Sequence, residues 1–212
     1  MDEADQVTAY AEADFDEGHQ RLFDEALSRL PRTQSIQRIL DLGCGPGDFS
    51  RRLARAFPDA EVVGVDGAPN MLKRAANEPG SQGLKIKWVE ALLGSYADDE
   101  GFDLVFSNSL LHHLHQPQQL WEALKNLTRK SGWVHISDLR RPSSRSDAAA
   151  MVDTYSANEP EVLRRDFYHS LCAAFTPDEI SEQCHAAKLN ELSVEAFGDR
   201  HVLIYGRLET PS

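Results

Sequence analysis

Apolar positions along the chain follow two rhythms. Between residues 8 and about 30, Ala11, Phe15, Leu22, Phe23, Ala26, Leu27 and Leu30 recur at helical spacing with acids on the other face, which predicts an amphipathic helix leading into Pro31. The period then changes. Short apolar runs at Arg38–Leu42, Glu61–Asp66, Lys85–Glu90, Phe102–Asn108 and Trp133–Leu139, each bounded by turn formers or charges, predict strands. Helical patterns fill the gaps at Asp48–Phe57, Pro69–Ala76 and Pro117–Lys130, with Pro69 and Pro117 suited to the first helical position, where a missing N–H costs nothing.

Strands alternating with helices of this length imply right-handed crossovers and a parallel α/β sheet covered on both faces. The rhythm breaks after the fifth strand. Arg140 to Phe175 reads as two helices, around Asp147–Tyr155 and Glu159–Ala174. "TPDEI" then supplies Thr176 as N-cap, Pro177 at N1 and Glu179 at N3, a capping-box start for a helix over Pro177–Lys188. Finally, Leu192–Phe197 and His201–Arg207 alternate apolar and polar residues around "GDR", a hairpin signal. The expected organisation is one domain over 1–212, with an N-terminal helical segment at 1–31 and a helical insertion at 140–175.

Composition narrows the class of partner. A chain of 212 residues with 41% hydrophobic content is long enough for one sizeable core. Its net charge of -12 repels phosphate backbones and anionic lipid heads, so neither nucleic acid nor membrane is expected as partner. Cys44, Cys172 and Cys184 show no C-x-x-C pair and no metal-like spacing with histidine, so no disulfide framework and no metal site are expected. No apolar run approaches the roughly 18 residues of a membrane helix, and the acidic start is unlike a secretory leader. The expected compartment is the cytoplasm, as a monomer or homodimer.

The chemistry starts at "RILDLGCGPGDFS", where Gly43, Gly45 and Gly47 follow the first strand at alternate positions. Glycines between a strand and a helix let the backbone approach a ligand, and the helix N-terminus supplies unpaired N–H groups. The spacing is G-x-G-x-G and not the G-x-G-x-x-G of pyrophosphate-binding folds, so with Asp41 beside it the loop suits an amino acid moiety as well as a phosphate. The second strand ends at Asp66, 19 residues after Gly47, where an acid can accept hydrogen bonds from ribose hydroxyls.

Together these residues resemble the class I S-adenosylmethionine-dependent methyltransferases, of the small-molecule kind. The glycine loop is similar to their first motif, "GVDGAPNML" to their acidic second, "WVEALL" to the loop touching adenine, and "FDLVFSNSLLHHL" to the fourth strand and its following segment. The resemblance implies a Rossmann-like, doubly wound sheet of seven strands in the order 3-2-1-4-5-7-6, the last antiparallel, with 140–175 as a helical lid. It implies S-adenosylmethionine as cofactor and S-adenosylhomocysteine as product. Asp41, Gly43, Gly45 and Gly47 would hold the methionine part and Asp66 the ribose. Gly67 and Met71 would flank the adenine, Glu90, Ala91 and Leu92 would sit near its amino edge, and Asn108 would reach the cofactor's amino group. Glu90 stands where many members have Asp.

A sulfonium methyl is already electrophilic, so the expected contribution of such a protein is in-line alignment with water excluded, and no Ser-His-Asp arrangement is needed. An alcohol acceptor would add the need for a base, for which position suggests His113. Tyr10, Arg140, Tyr155, Arg164 and Tyr168 are candidate substrate contacts, Arg140 as a bidentate partner for a carboxylate. Three other readings compete. One is a non-catalytic cofactor-binding regulator that needs a partner. Another is a nicotinamide-dependent oxidoreductase, which wants its third glycine one residue later. The third is a nucleic-acid methyltransferase, which wants a basic face.

Overall fold

The computed structural model describes residues 16–30 and 35–209. The first helix, α1 (Asp16–Arg29), precedes β1 (Arg38–Leu42), α2 (Asp48–Ala56), β2 (Glu61–Asp66), α3 (Pro69–Asn77) and β3 (Ile86–Glu90). Next come β4 (Phe102–Asn108), a 3₁₀ turn at Leu111–His113, α4 (Gln118–Leu127) and β5 (Thr128–Leu139). Two further helices, α5 (Arg145–Tyr155) and α6 (Glu161–Ala173), lead to α7 (Pro177–Ala186), β6 (Ser193–Phe197) and β7 (His201–Arg207). Tyr10 and the expected helix before Asp16 lie outside the described residues.

The seven strands form one sheet in the order β3-β2-β1-β4-β5-β7-β6. β1, β2, β3, β4 and β5 pair in parallel, and β7 runs antiparallel to both β5 and β6. One face buries Leu22, Phe23 and Ala26 of α1 and Phe49 and Leu53 of α2 against Ile39, Val62, Leu104 and Phe106. The other buries Trp121 and Leu124 of α4 and Ile180 of α7 against Leu40, Val63, Val105 and Ile136. Alternate residues of each central strand thus feed opposite cores, as a sheet covered on both faces requires.

Local signals act as expected at most ends. Thr176 and Glu179 close the capping box of α7: the Thr176 hydroxyl accepts from Glu179 N at 3.3 Å, and Thr176 N donates to Glu179 Oε2 at 2.8 Å. The boundary between α4 and β5 differs from expectation. The helix stops at Leu127 instead of Lys130, and the strand starts at Thr128 instead of Trp133. Thr128 pairs with Phe102, Trp133 pairs with Leu104, and the extra residues bulge out, with Ser131 at φ +62°. Arg129 anchors the bulge by donating to Asp103 Oδ1 and to the Glu100 carbonyl, both at 2.8 Å. Pro117 accordingly falls at the N-cap of α4, one place earlier than expected.

Candidate functional site

Strand order reverses between β1 and β4, so the crevice of this sheet opens at their C-terminal ends. Gly43, Gly45 and Gly47 carry the chain from β1 into α2 with φ of +75°, +52° and +81°. An L side chain enters that region at a cost of about 1–2 kcal/mol. The amides of Gly43 and Cys44 both donate to the Val65 carbonyl, at 2.8 and 3.0 Å. Gly45 N donates to one oxygen of Asp66 and Ala68 N to the other, each at 2.8 Å. Asp66 therefore clasps the glycine loop to the end of β2, and each of its oxygens retains a lone pair for another donor. Across the crevice, Leu110 stands 2.9 Å from the place a Cβ on Gly43 would take, so the turns after β1 and β4 meet.

Two features leave this frame open to solvent. Among the described residues, no heavy atom outside its chain neighbours lies within 4 Å of a Cβ built on Gly45. Gly67 is exposed beside Leu92, whose side chain would lie 2.9 Å from a Gly67 Cβ and is itself 69% exposed. Together they offer bare backbone and apolar surface to a flat ring just past β2 and β3. Glu90 is exposed and Ala91 half-buried, with Ala91 N donating to the Asp66 carbonyl at 3.1 Å. Met71 is only 4% exposed, within the packed face of α3.

Asp41 lies beneath the loop, sealed at 1% exposure, and accepts a 2.5 Å hydrogen bond from the Ser50 hydroxyl. Burial dominates its titration and raises its pKa to about 7; the Ser50 bond pulls it down, while the nearby Asp66 and Asp48 charges push it up. Asn108, at the end of β4, accepts from the Ser137 hydroxyl at 2.7 Å and donates to Ser109 Oγ at 3.1 Å, which leaves its side chain matched within the protein. Ser109 adopts φ +57°, an uncommon conformation for a residue with a side chain, immediately above the crevice.

The histidines divide the "LLHHL" segment between two roles. His113 is exposed at its surface, but the protein crowding the rest of the ring, with His112 beside it, lowers its pKa to about 4. His112 is buried, and its Nδ1 lies 2.6 Å from Asp138 Oδ1. Asp138 also accepts from Leu111 N and Leu139 N, both at 2.7 Å. Nε2 of His112 has no partner among the described residues. This pair was not singled out from the sequence; its one signal is an acid, Asp138, within the run Trp133–Leu139 that ends β5.

The remaining candidates divide by place. Arg140 donates to the carbonyl of Asp199 at 2.7 Å, and the Tyr155 hydroxyl donates to the Asp199 carboxylate, while Arg200 lies 3.5 Å over the Tyr155 ring. Both residues thus converge on the β6–β7 turn. Arg164 pairs with Asp153 at 2.6 Å and ties α6 to α5. Tyr168 packs with the Ala148, Val152 and Leu171 cluster between those helices. α6 also packs against the 3₁₀ turn Leu111–His113. Among the described residues, no helix is long and apolar enough to cross a membrane, and no group of three or more His, Cys, Asp or Glu is placed to hold a metal ion.

A sheet in this order, with a glycine loop clasped by an acid at the tip of β2, defines the class I S-adenosylmethionine-dependent methyltransferase fold. Residues 39–132 match the methyltransferase domain family. Its relatives include the malonyl-[acyl-carrier protein] O-methyltransferase of Legionella pneumophila, 36% identical over 124 residues, covering 56% of this chain and 41% of that protein. Trans-aconitate 2-methyltransferase of Escherichia coli is 32% identical over 113 residues, covering 53% of this chain and 42% of its own. The chain thus spans about two fifths of the length of these relatives. Among solved structures, the plantazolicin methyltransferase BpumL in complex with SAH superposes with a TM-score of 0.76 at 14% identity, over 97% of this chain and 91% of that one.

Proposed function

We propose that this chain moves the methyl group of S-adenosylmethionine to a small organic acceptor seated over the C-terminal ends of β1, β4 and β5. The observation that carries the reading is the glycine loop, whose three left-handed residues and Asp66 clasp present bare backbone at the switch point of the sheet. In this reading Asp41, Gly43, Gly45 and Gly47 hold the amino acid end, Asp66 the ribose hydroxyls, and Gly67, Leu92, Ala91 and Glu90 the base. Met71 supports the adenine seat from below, and Asn108 contributes through its backbone. When bound, the cofactor supplies an electrophilic methyl on a positively charged sulfur.

What the chain itself supplies is alignment and exclusion of water. The insertion carrying α5 and α6 acts as the lid, since α6 already rests on the 3₁₀ turn beside the crevice. Tyr168 and Arg164 hold that lid together, and Arg140 and Tyr155 brace its junction with the β6–β7 turn. For a hydroxyl acceptor the departing proton goes to an imidazole: His113 is neutral at pH 7 and exposed, and His112 is aimed by Asp138 with Nε2 available. A labelled-methyl assay against a metabolite extract, with mass analysis of the products, tests the proposal. Label entering small molecules, and lost with Asp66→Ala, supports it; cofactor binding without any transfer would leave a regulator.

A further inference from the structure

Asp41 is an acid without a counter-charge among the described residues. It is buried on all sides, the Ser50 hydroxyl is its one side-chain donor at 2.5 Å, and among the described residues no lysine, arginine or histidine pairs with it. The titratable groups around it are acidic or neutral: Asp48 from α2, Asp66 from the end of β2 and the Cys44 thiol from the loop. Asp48 is already matched by His19 and Arg52, each at 2.9 Å, and Asp66 by two backbone amides. A carboxylate so placed is costly to ionise until a positive charge arrives.

The two forms of the expected cofactor differ by one such charge. Both carry an amino acid end, but only the methyl-bearing form has a sulfonium, and the product has a neutral thioether. Resting on the methyltransferase reading, we propose that Asp41 discriminates between them: it gives up its proton to solvent when the sulfonium form binds, and holds that proton more when the thioether form does. Asp41 lies near the end of β1, two residues before the first glycine of the loop to which that reading assigns the amino acid end. The carboxyl titrates to about 7, which puts the exchange within reach of neutral pH. After transfer, the loss of sulfonium charge lets the acid reprotonate and weakens the hold on product.

Calorimetric titration of the purified chain with S-adenosylmethionine and with S-adenosylhomocysteine, near pH 7 in phosphate and again in Tris, tests this. The dependence of heat on buffer ionisation enthalpy counts protons released. The expected result is roughly half a proton more released with the sulfonium form. In Asp41→Asn that difference disappears, and the affinity ratio of the two forms shifts about tenfold toward the thioether. Ser50→Ala, which removes the donor favouring the ionised acid, enlarges the difference and serves if the first variant does not fold. Equal proton release by both forms, or a difference that survives Asp41→Asn, overturns the inference while leaving cofactor binding intact. Absence of binding by either form instead removes the methyltransferase reading beneath it.

Discussion

Replacing Gly47 with alanine forces a methyl group onto a residue at φ +81°, where it overlaps Cη2 of Trp88 and comes within 3.0 Å of Cβ of Ala75. The left-handed backbone costs an L residue about 1–2 kcal/mol, and overpacking costs about 1–3 kcal/mol more, because the Trp88 ring also lies against Gly64 and has little room to yield. The expected total is about 2–5 kcal/mol. Gly45→Ala offers an internal contrast: it has φ +52° but, among the described residues, no heavy atom outside its chain neighbours within 4 Å of its Cβ position, so only the backbone penalty of about 1–2 kcal/mol applies. Urea unfolding of the two variants measures the difference, and thermal midpoints should fall by about 2–4 °C per kcal/mol for a chain of this size. Cofactor titration then separates the roles. Gly45→Ala should bind S-adenosylmethionine at least about tenfold more weakly while remaining folded, since its methyl enters the space assigned to the ligand. Equal destabilisation by both variants, or undiminished binding by Gly45→Ala, would refute the division of the loop into a packed glycine and a ligand-facing one.

Other outcomes follow from the same geometry. Asp66→Ala removes the acceptor for Gly45 N and Ala68 N as well as the ribose partner, so affinity for S-adenosylmethionine should fall about 100-fold or more by calorimetry; unchanged affinity defeats the ribose assignment. His135 is buried between Phe106 and Tyr205 with neither ring nitrogen partnered, and burial lowers its pKa to about 3. The unfolded chain takes up a proton there below about pH 6.5 that the folded chain refuses, so stability falls as pH drops. His135→Phe should therefore gain about 2 kcal/mol at pH 5 relative to its effect at pH 8, read by urea unfolding at both pH values; equal effects at the two would contradict the assignment. Asp41 has the opposite sign: its raised pKa favours the folded chain below about pH 4 and that benefit is lost as pH rises through about 7, so Asp41→Asn should stabilise the ligand-free chain at pH 8. Once an acceptor is in hand, His112→Gln should slow transfer to a hydroxyl at least about tenfold with little change in cofactor affinity, and a full rate would exclude His112 as base.

How much of this was legible before the structure depends on the range of the interaction. The strands were readable because each is a short apolar run closed by turn formers, and the capping box of α7 was readable because its partners are three residues apart. The glycine loop and Asp66 were readable as a pattern, but not the clasp between them, which joins positions 45 and 66 through a backbone amide. The start of β5 was missed because Leu120, Leu124 and Leu127 sustain a helical period up to a bulge that only the pairing of Thr128 with Phe102 explains. The meeting of Arg140 and Tyr155 at Asp199 was not legible, because nothing local marks Asp199 as their shared partner. The approach of the Trp88 ring to the strand-interior Gly64 is another contact that only the pairing of β2 with β3 brings about.

The most direct measurement of the central claim is a crystal structure of the chain soaked with S-adenosylhomocysteine. The account predicts the nucleoside along the glycine loop, its ribose hydroxyls on Asp66 and its base against the surface formed by Gly67 and Leu92. An empty crevice at saturating ligand, or a pyrophosphate cofactor retained there instead, would contradict it.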